Sequence, residues 1–135
     1  MLFNLRLLNH TQLFLIDGIG ALLSAILLWL VYYCRNIFAV PDSMYHQLIA
    51  FPVFFTCYSL TCSLIKPRSW KIFLVIVAVC NVLYAAYSLL LISHHADQLT
   101  IYGIIYFLLE IVVIIALVYV EISFLKQNRP STQLH

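Results

Sequence analysis

The sequence predicts an all-α membrane protein: four transmembrane helices in an antiparallel up-down-up-down bundle, both termini cytoplasmic. Three observations predict it. Of the 135 residues, 64% are hydrophobic and only 9% are charged, too few charges to coat a soluble domain of this length. The charges are missing from four long windows and gathered in the breaks between them. A helix needs about 20 mostly apolar residues to cross hydrocarbon, and lipid leaves no partner for free backbone groups. β-Barrel strands would instead be short and alternating. Finally, the breaks are short, which makes neighbouring helices run antiparallel.

The first window, 13–33, contains Leu22-Leu23-Ser24-Ala25-Ile26-Leu27-Leu28-Trp29 and ends at Tyr32, Tyr33 and Arg35. Pro41-Asp42-Ser43 breaks the chain, and Asp42 or Ser43 is the expected cap of the second span, 44–65. Pro52 removes a backbone bond from that span and predicts a kink. Lys66-Pro67-Arg68-Ser69 separates it from the third span, 72–92, with Ser69 as cap. The turn His94-His95-Ala96-Asp97 leads to the fourth span, 99–125, with Asp97 as cap. Residues 126–135 read as a flexible cytoplasmic tail, and residues 1–9 as a segment lying along the inner interface. A cleaved leader is not expected: the first apolar stretch is too long and no small-x-small site follows it. All of 1–135 forms one membrane domain.

Basic residues set the orientation. Arg6, Lys66, Arg68, Lys71, Lys126 and Arg129 fall on one side and Arg35 on the other, which places the first side in the cytoplasm. Trp70, Tyr32 and Tyr33 fall at the interfaces, where amphipathic rings belong. The expected location is the plasma (bacterial inner) membrane, multi-pass. The seven Lys and Arg are scattered singly, so no nucleic-acid partner is expected.

Three of the five acids, Asp17, Glu110 and Glu121, lie inside spans, where a charge costs roughly 2.5–3.5 kcal/mol and asks for a partner or a function. At 1.5 Å per residue, Glu110 lies about 16 Å from the outer end of its span and Asn81 about 14 Å from the inner end of its own, so both read as near the midplane. Asp17 and Glu121 count as about one to two turns from the cytoplasm, with Asp17 snorkelling or capping a helix opened at Gly18 and Glu121 solvated beside Lys126. Gly103, Tyr106, Glu110, Ile114, Leu117 and Glu121 share one stripe, as do Ala78, Asn81, Ala85 and Ser88, and Asp17, Ala21 and Ser24. The first, third and fourth spans should therefore meet around Glu110, Asn81 and Ser24, with Tyr84 and Tyr106 nearby. The plainer reading makes Glu110 a protonated acid bonded to Asn81 and tying the bundle together. The functional one makes it a proton-accepting or substrate-pairing carboxylate on a pathway.

Four cysteines include no Cys-x-x-Cys, and Cys57 and Cys62 lie roughly 140° apart on one helix, so thiol redox chemistry is not expected. His46, His94, His95 and Asp97 gather at the outer face as weak metal candidates, but their spacing matches no zinc signature and a solvated turn explains them. No cofactor is predicted, and no phosphate loop, nucleophile elbow or paired-acid enzyme motif is present.

The segments Ile16-Asp17-Gly18-Ile19-Gly20-Ala21-Leu22-Leu23-Ser24-Ala25, Asn81-Val82-Leu83-Tyr84 and Tyr106-Phe107-Leu108-Leu109-Glu110-Ile111 resemble those of small, uncharacterised bacterial four-span membrane proteins, a likeness that covers most of the chain and implies no activity. Small multidrug-resistance transporters are similar in length and carry one acid in their first helix, a position Asp17 resembles. Their acid lies deeper in a different motif, and their fourth helix lacks acids. DoxX-like proteins share the four-span bundle without a matching motif. The leading expectation is a non-catalytic membrane protein, oligomeric or the accessory subunit of a membrane complex, with lipid and a second copy or another membrane protein as partners. The alternative is a proton-coupled small-molecule or ion transporter or channel, with Glu110 central, Tyr106, Asn81 and Tyr84 as hydrogen-bond partners, and Asp17 and Glu121 as the cytoplasmic exit.

Overall fold

A computed structural model describes residues 9–128. Its elements are α1 (His10–Tyr33), α2 (Arg35–Phe38), α3 (Asp42–Ile65), α4 (Trp70–His94) and α5 (Ile101–Gln127), with no strand among the described residues. The four long helices have 24 to 27 residues each, about 36–40 Å at 1.5 Å per residue. All four are long and apolar enough to cross a membrane, and the chain is a multi-pass membrane protein. The expected tail beyond Asn128 and the interfacial segment before Asn9 lie outside the described residues.

Local chemistry sets the helix ends more than hydrophobicity does. Gln12 Oε1 accepts from the Asn9 backbone N–H at 3.1 Å, tying the first turn of α1 to its cap. The helix then runs unbroken through Gly18, so the expected loosening there does not occur. Pro41, with no N–H to leave unpaired, precedes α3. Asp42 is no cap: its carboxylate accepts from Tyr32 Oη at 2.8 Å and lies 3.6 Å from Arg35. Lys66 ends α3 in the left-handed conformation (φ 52°) just before Pro67, an arrangement that stops a helix sharply. Ser69 precedes α4 but its hydroxyl makes no capping bond. The cap of α5 is Thr100, not Asp97. Its backbone is extended and its Oγ1 accepts from the Gly103 N–H at 3.3 Å.

The helices associate in two pairs, α1 with α3 and α4 with α5, and contacts between the pairs are sparser. Within the first pair, a Cβ on Gly18 would meet Leu60 Cγ at 2.9 Å and its backbone N at 3.3 Å, so glycine allows α1 and α3 to close on one another. At the α2 end, Thr100 joins the pairs. Its hydroxyl donates to Ile37 O at 2.5 Å and its N–H to Phe38 O at 3.4 Å. A Cβ on Gly103 would lie 2.5 Å from Phe38 O, so only glycine admits this approach.

At the opposite end, near Pro67, His10 stacks on Trp70 (5.0 Å between centroids) and Trp70 packs on Phe124 (5.5 Å). These rings cover a small core of Leu13, Phe14, Cys62, Leu74, Val77 and Phe124. A larger core, including Leu28, Met44, Leu48, Tyr84, Phe107 and Ile111, occupies the rest. The outward faces stay apolar: Leu23, Phe54, Leu83 and Val113 are all more than half exposed. Such a surface suits acyl chains and not water.

Candidate functional site

The polar side chains the bundle buries gather in groups along its length, and among the described residues the bond from Asn81 to Asp17 joins one helix pair to the other. Near the Pro67 end each long helix contributes one such side chain. Asp17 of α1, 2% exposed, accepts from Ser59 Oγ of α3 and from Asn81 Nδ2 of α4 at 3.2 Å. Glu121 of α5 faces Asp17 and Asn81, is 0% exposed, and has no hydrogen bond to either carboxyl oxygen. Both acids are buried although they lie near the helix ends, and the rings of His10, Trp70 and Phe124 pack together at that same end. The expectations of a snorkelling Asp17 and a solvated Glu121 are corrected accordingly.

The second group sits farther toward α2. Tyr84 Oη donates to Glu110 Oε1 at 3.3 Å, the other carboxyl oxygen is unpartnered, and Ser24 lies beside the same carboxyl. The hydroxyls of Tyr106 and Ser88 are buried without partners. Between the groups lies a cavity of about 50 Å³, lined by Asp17, Gly20, Ser24, Asn81 and Tyr84 among others. A water occupies about 30 Å³ of liquid volume, so the space is of the size of one or two waters, with Asp17, Ser24, Asn81 and Tyr84 as its polar lining.

The expected pairing of Glu110 with Asn81 is thus replaced by two others, Asn81 with Asp17 and Glu110 with Tyr84. The reason is length. The two depths were counted from opposite ends of a membrane about 30 Å thick, but the helices are longer than that. Counted from the Pro67 end, Asn81 lies 11 positions into α4 and Glu110 lies 17 into α5, an offset of about 9 Å. The long Tyr84 side chain reaches the higher level and the short Asn81 amide reaches Asp17.

Ser59 was not singled out from the sequence. Its place four residues before Ser63, whose hydroxyl donates to Thr11 O at 3.2 Å, marks a polar edge on α3 that would have pointed to it. The outer histidines make local bonds: His46 Nδ1 lies 2.7 Å from Asp42 O and His95 Nδ1 lies 3.0 Å from Leu91 O. His94 and Asp97 are exposed. Among the described residues no three His, Cys, Asp or Glu side chains converge as a metal-binding group. All four cysteines are free thiols.

No protein-family model, curated protein or solved structure matches this chain.

Proposed function

We propose that this protein is a small proton-coupled carrier or channel of the bacterial inner membrane, with Glu110 as its central carboxylate and Asp17 and Glu121 as a second station. One observation carries the reading: the bundle buries carboxyls with unpartnered oxygens, Glu110 Oε2 and both oxygens of Glu121, and a small, mostly apolar cavity lies between their neighbours Tyr84 and Asp17. Polar groups that merely tie helices together are normally satisfied, and an unsatisfied acid in a bilayer points to a pathway. Protons passing between the stations would use the cavity, with the Ser24 and Tyr84 hydroxyls along it.

The accompanying topology is an antiparallel up-down-up-down bundle. It is supported by Ser63 of α3 bonding near the start of α1, and by Lys71 Nζ of α4 donating to Asn128 O at 2.6 Å beyond α5. Lys66, Arg68, Lys71 and Lys126 cluster at that end and Arg35 lies at the other, so the Pro67 end, with both termini, is cytoplasmic. Kinship with the small bacterial four-span proteins belongs to the same proposal.

The test is proton flux into liposomes carrying a pH dye, comparing wild type, Glu110→Gln and Glu121→Gln. Flux in wild type that is lost in either variant supports the reading, and equal, negligible flux in all three refutes it. The second reading, a non-catalytic oligomeric or accessory subunit, is favoured by Asp17, whose two bonds hold α1, α3 and α4 together as glue would. It predicts no flux, unchanged folding in both glutamine variants, and a second copy or another membrane protein as the partner of the apolar outer faces.

A further inference from the structure

The acid pair at the Pro67 end has oxygen atoms that helix pairing leaves unused. Asp17 and Glu121 face each other away from solvent. Among the described residues the one ion pair is Arg35–Asp42, on the surface. The groups facing the pair are Ser59 from α3 and Asn81 from α4, neither of them charged. Two acids held together away from water cannot both ionise unless a cation stands between them.

Oxygen is what this corner offers. Both Glu121 oxygens are free. Asn81 spends its NH₂ on Asp17, which leaves its amide oxygen as a ligand, and Ser59, whose hydrogen goes to Asp17, keeps its lone pairs. Carboxylate, amide and hydroxyl oxygens without nitrogen or sulfur make a site for a hard cation. Ca²⁺ takes 6–8 oxygens and Mg²⁺ keeps several of its waters. Four side chains cannot supply that number, and the neighbouring cavity of about 50 Å³, lined by Asp17 and Asn81 but not by Ser59 or Glu121, is too small to add the waters that would complete it. An organic cation is too large for the same cavity.

We infer that Asp17, Glu121, Asn81 and Ser59 form a binding site for a small monovalent cation such as sodium, which exchanges with a proton on the acid pair. One Na⁺ taken up for one H⁺ released leaves the charge of the pair unchanged. This rests on the carrier reading above only for its purpose, since the site binds the ion whether or not transport follows.

The test is thermal unfolding of the full chain in detergent, in chloride salts of choline, K⁺, Na⁺, Li⁺ and Ca²⁺ at equal ionic strength. Because a ligand of the folded state stabilises it, about 100 mM Na⁺ should raise the wild-type Tm by about 3 °C or more over choline. The shift should be larger at about pH 8 than at about pH 5, where protons compete for the acids. It should vanish in Glu121→Gln. Equal Tm in sodium and choline at both pH values overturns the site, and so does a Ca²⁺ response without a Na⁺ response. Should Glu121→Gln fail to fold, the wild-type ion series at two pH values still decides. Proton flux without a sodium shift sinks this inference alone, whereas a sodium shift without flux sinks the carrier and leaves the site standing.

Discussion

The two buried polar groups are built from similar side chains and held very differently. Around Asp17 all four long helices converge, and two donors on separate helices fix one carboxylate. Around Glu110 a single 3.3 Å bond from Tyr84 is made, while the second carboxyl oxygen and the hydroxyls of Tyr106 and Ser88 have no partner. Asp17 is thus both an acid and a joint, whereas Glu110 is an acid on the wall of a bundle that packing already holds. In lipid, where apolar contacts between helices compete with equally apolar acyl chains, hydrogen bonds across a sparse seam carry a larger share of the assembly. Burial alone therefore does not tell a structural acid from a functional one; the count of satisfied atoms does.

Removing the joint should have the largest effect. Asp17→Leu leaves Ser59 Oγ and Asn81 Nδ2 without their acceptor and should destabilise by about 2–4 kcal/mol, read as a lowered unfolding midpoint in detergent. A Glu110→Leu loss as large as this would erase the contrast between the groups. Next comes the α2 end, where backbone approach does the holding. Gly103→Ala would drive a methyl into Phe38 O and should cost about 1–3 kcal/mol, and stability equal to wild type would show that this end gives way freely.

At Glu110 the change is smaller and its chemistry more telling. Glu110→Leu strips Tyr84 of its acceptor and should cost about 1–2 kcal/mol. Glu110→Gln retains an oxygen for that bond and should leave the midpoint nearly unchanged while abolishing any proton flux. Arg35→Ala should matter least. Its side chain and that of Asp42 are 63% and 67% exposed and 3.6 Å apart, so a shift below about 0.5 kcal/mol is expected. A larger loss would mean that the link between α2 and α3 stabilises the bundle more than its exposure suggests.

Hydropathy and helical period made much of the fold readable in advance. The four apolar runs had to be helices because lipid gives unpaired amides nothing else to bond. The stripe Ala78, Asn81, Ala85 and Ser88 is a buried face of α4, as a step of three or four residues requires. Helix ends were less legible. Asp42 and Asp97 have cap-forming side chains, but Asp42 has Tyr32 and Arg35 to bond, and Thr100 rather than Asp97 has the backbone conformation a cap needs. Of the site, its membership was mostly readable and its pairing was not. Asp17, Asn81, Tyr84, Glu110 and Glu121 announce themselves as polar residues in apolar runs, while Ser59, small and common on helices, does not.

Taken by itself, the order of residues determined that the chain is helical and made for a membrane, and which side chains would be too polar for acyl chains to accept. Composition and periodicity act within one helix, so one helix is enough to read them. Which acid meets which amide depends instead on how far each helix slides along its neighbour, and that was decided by contacts between helices: Gly18 against Leu60, Thr100 on the backbone of α2, and the rings over the Pro67 end. An offset of about 9 Å along the bundle changes no residue's hydropathy, yet it gives Asn81 to Asp17 and leaves Glu110 to Tyr84.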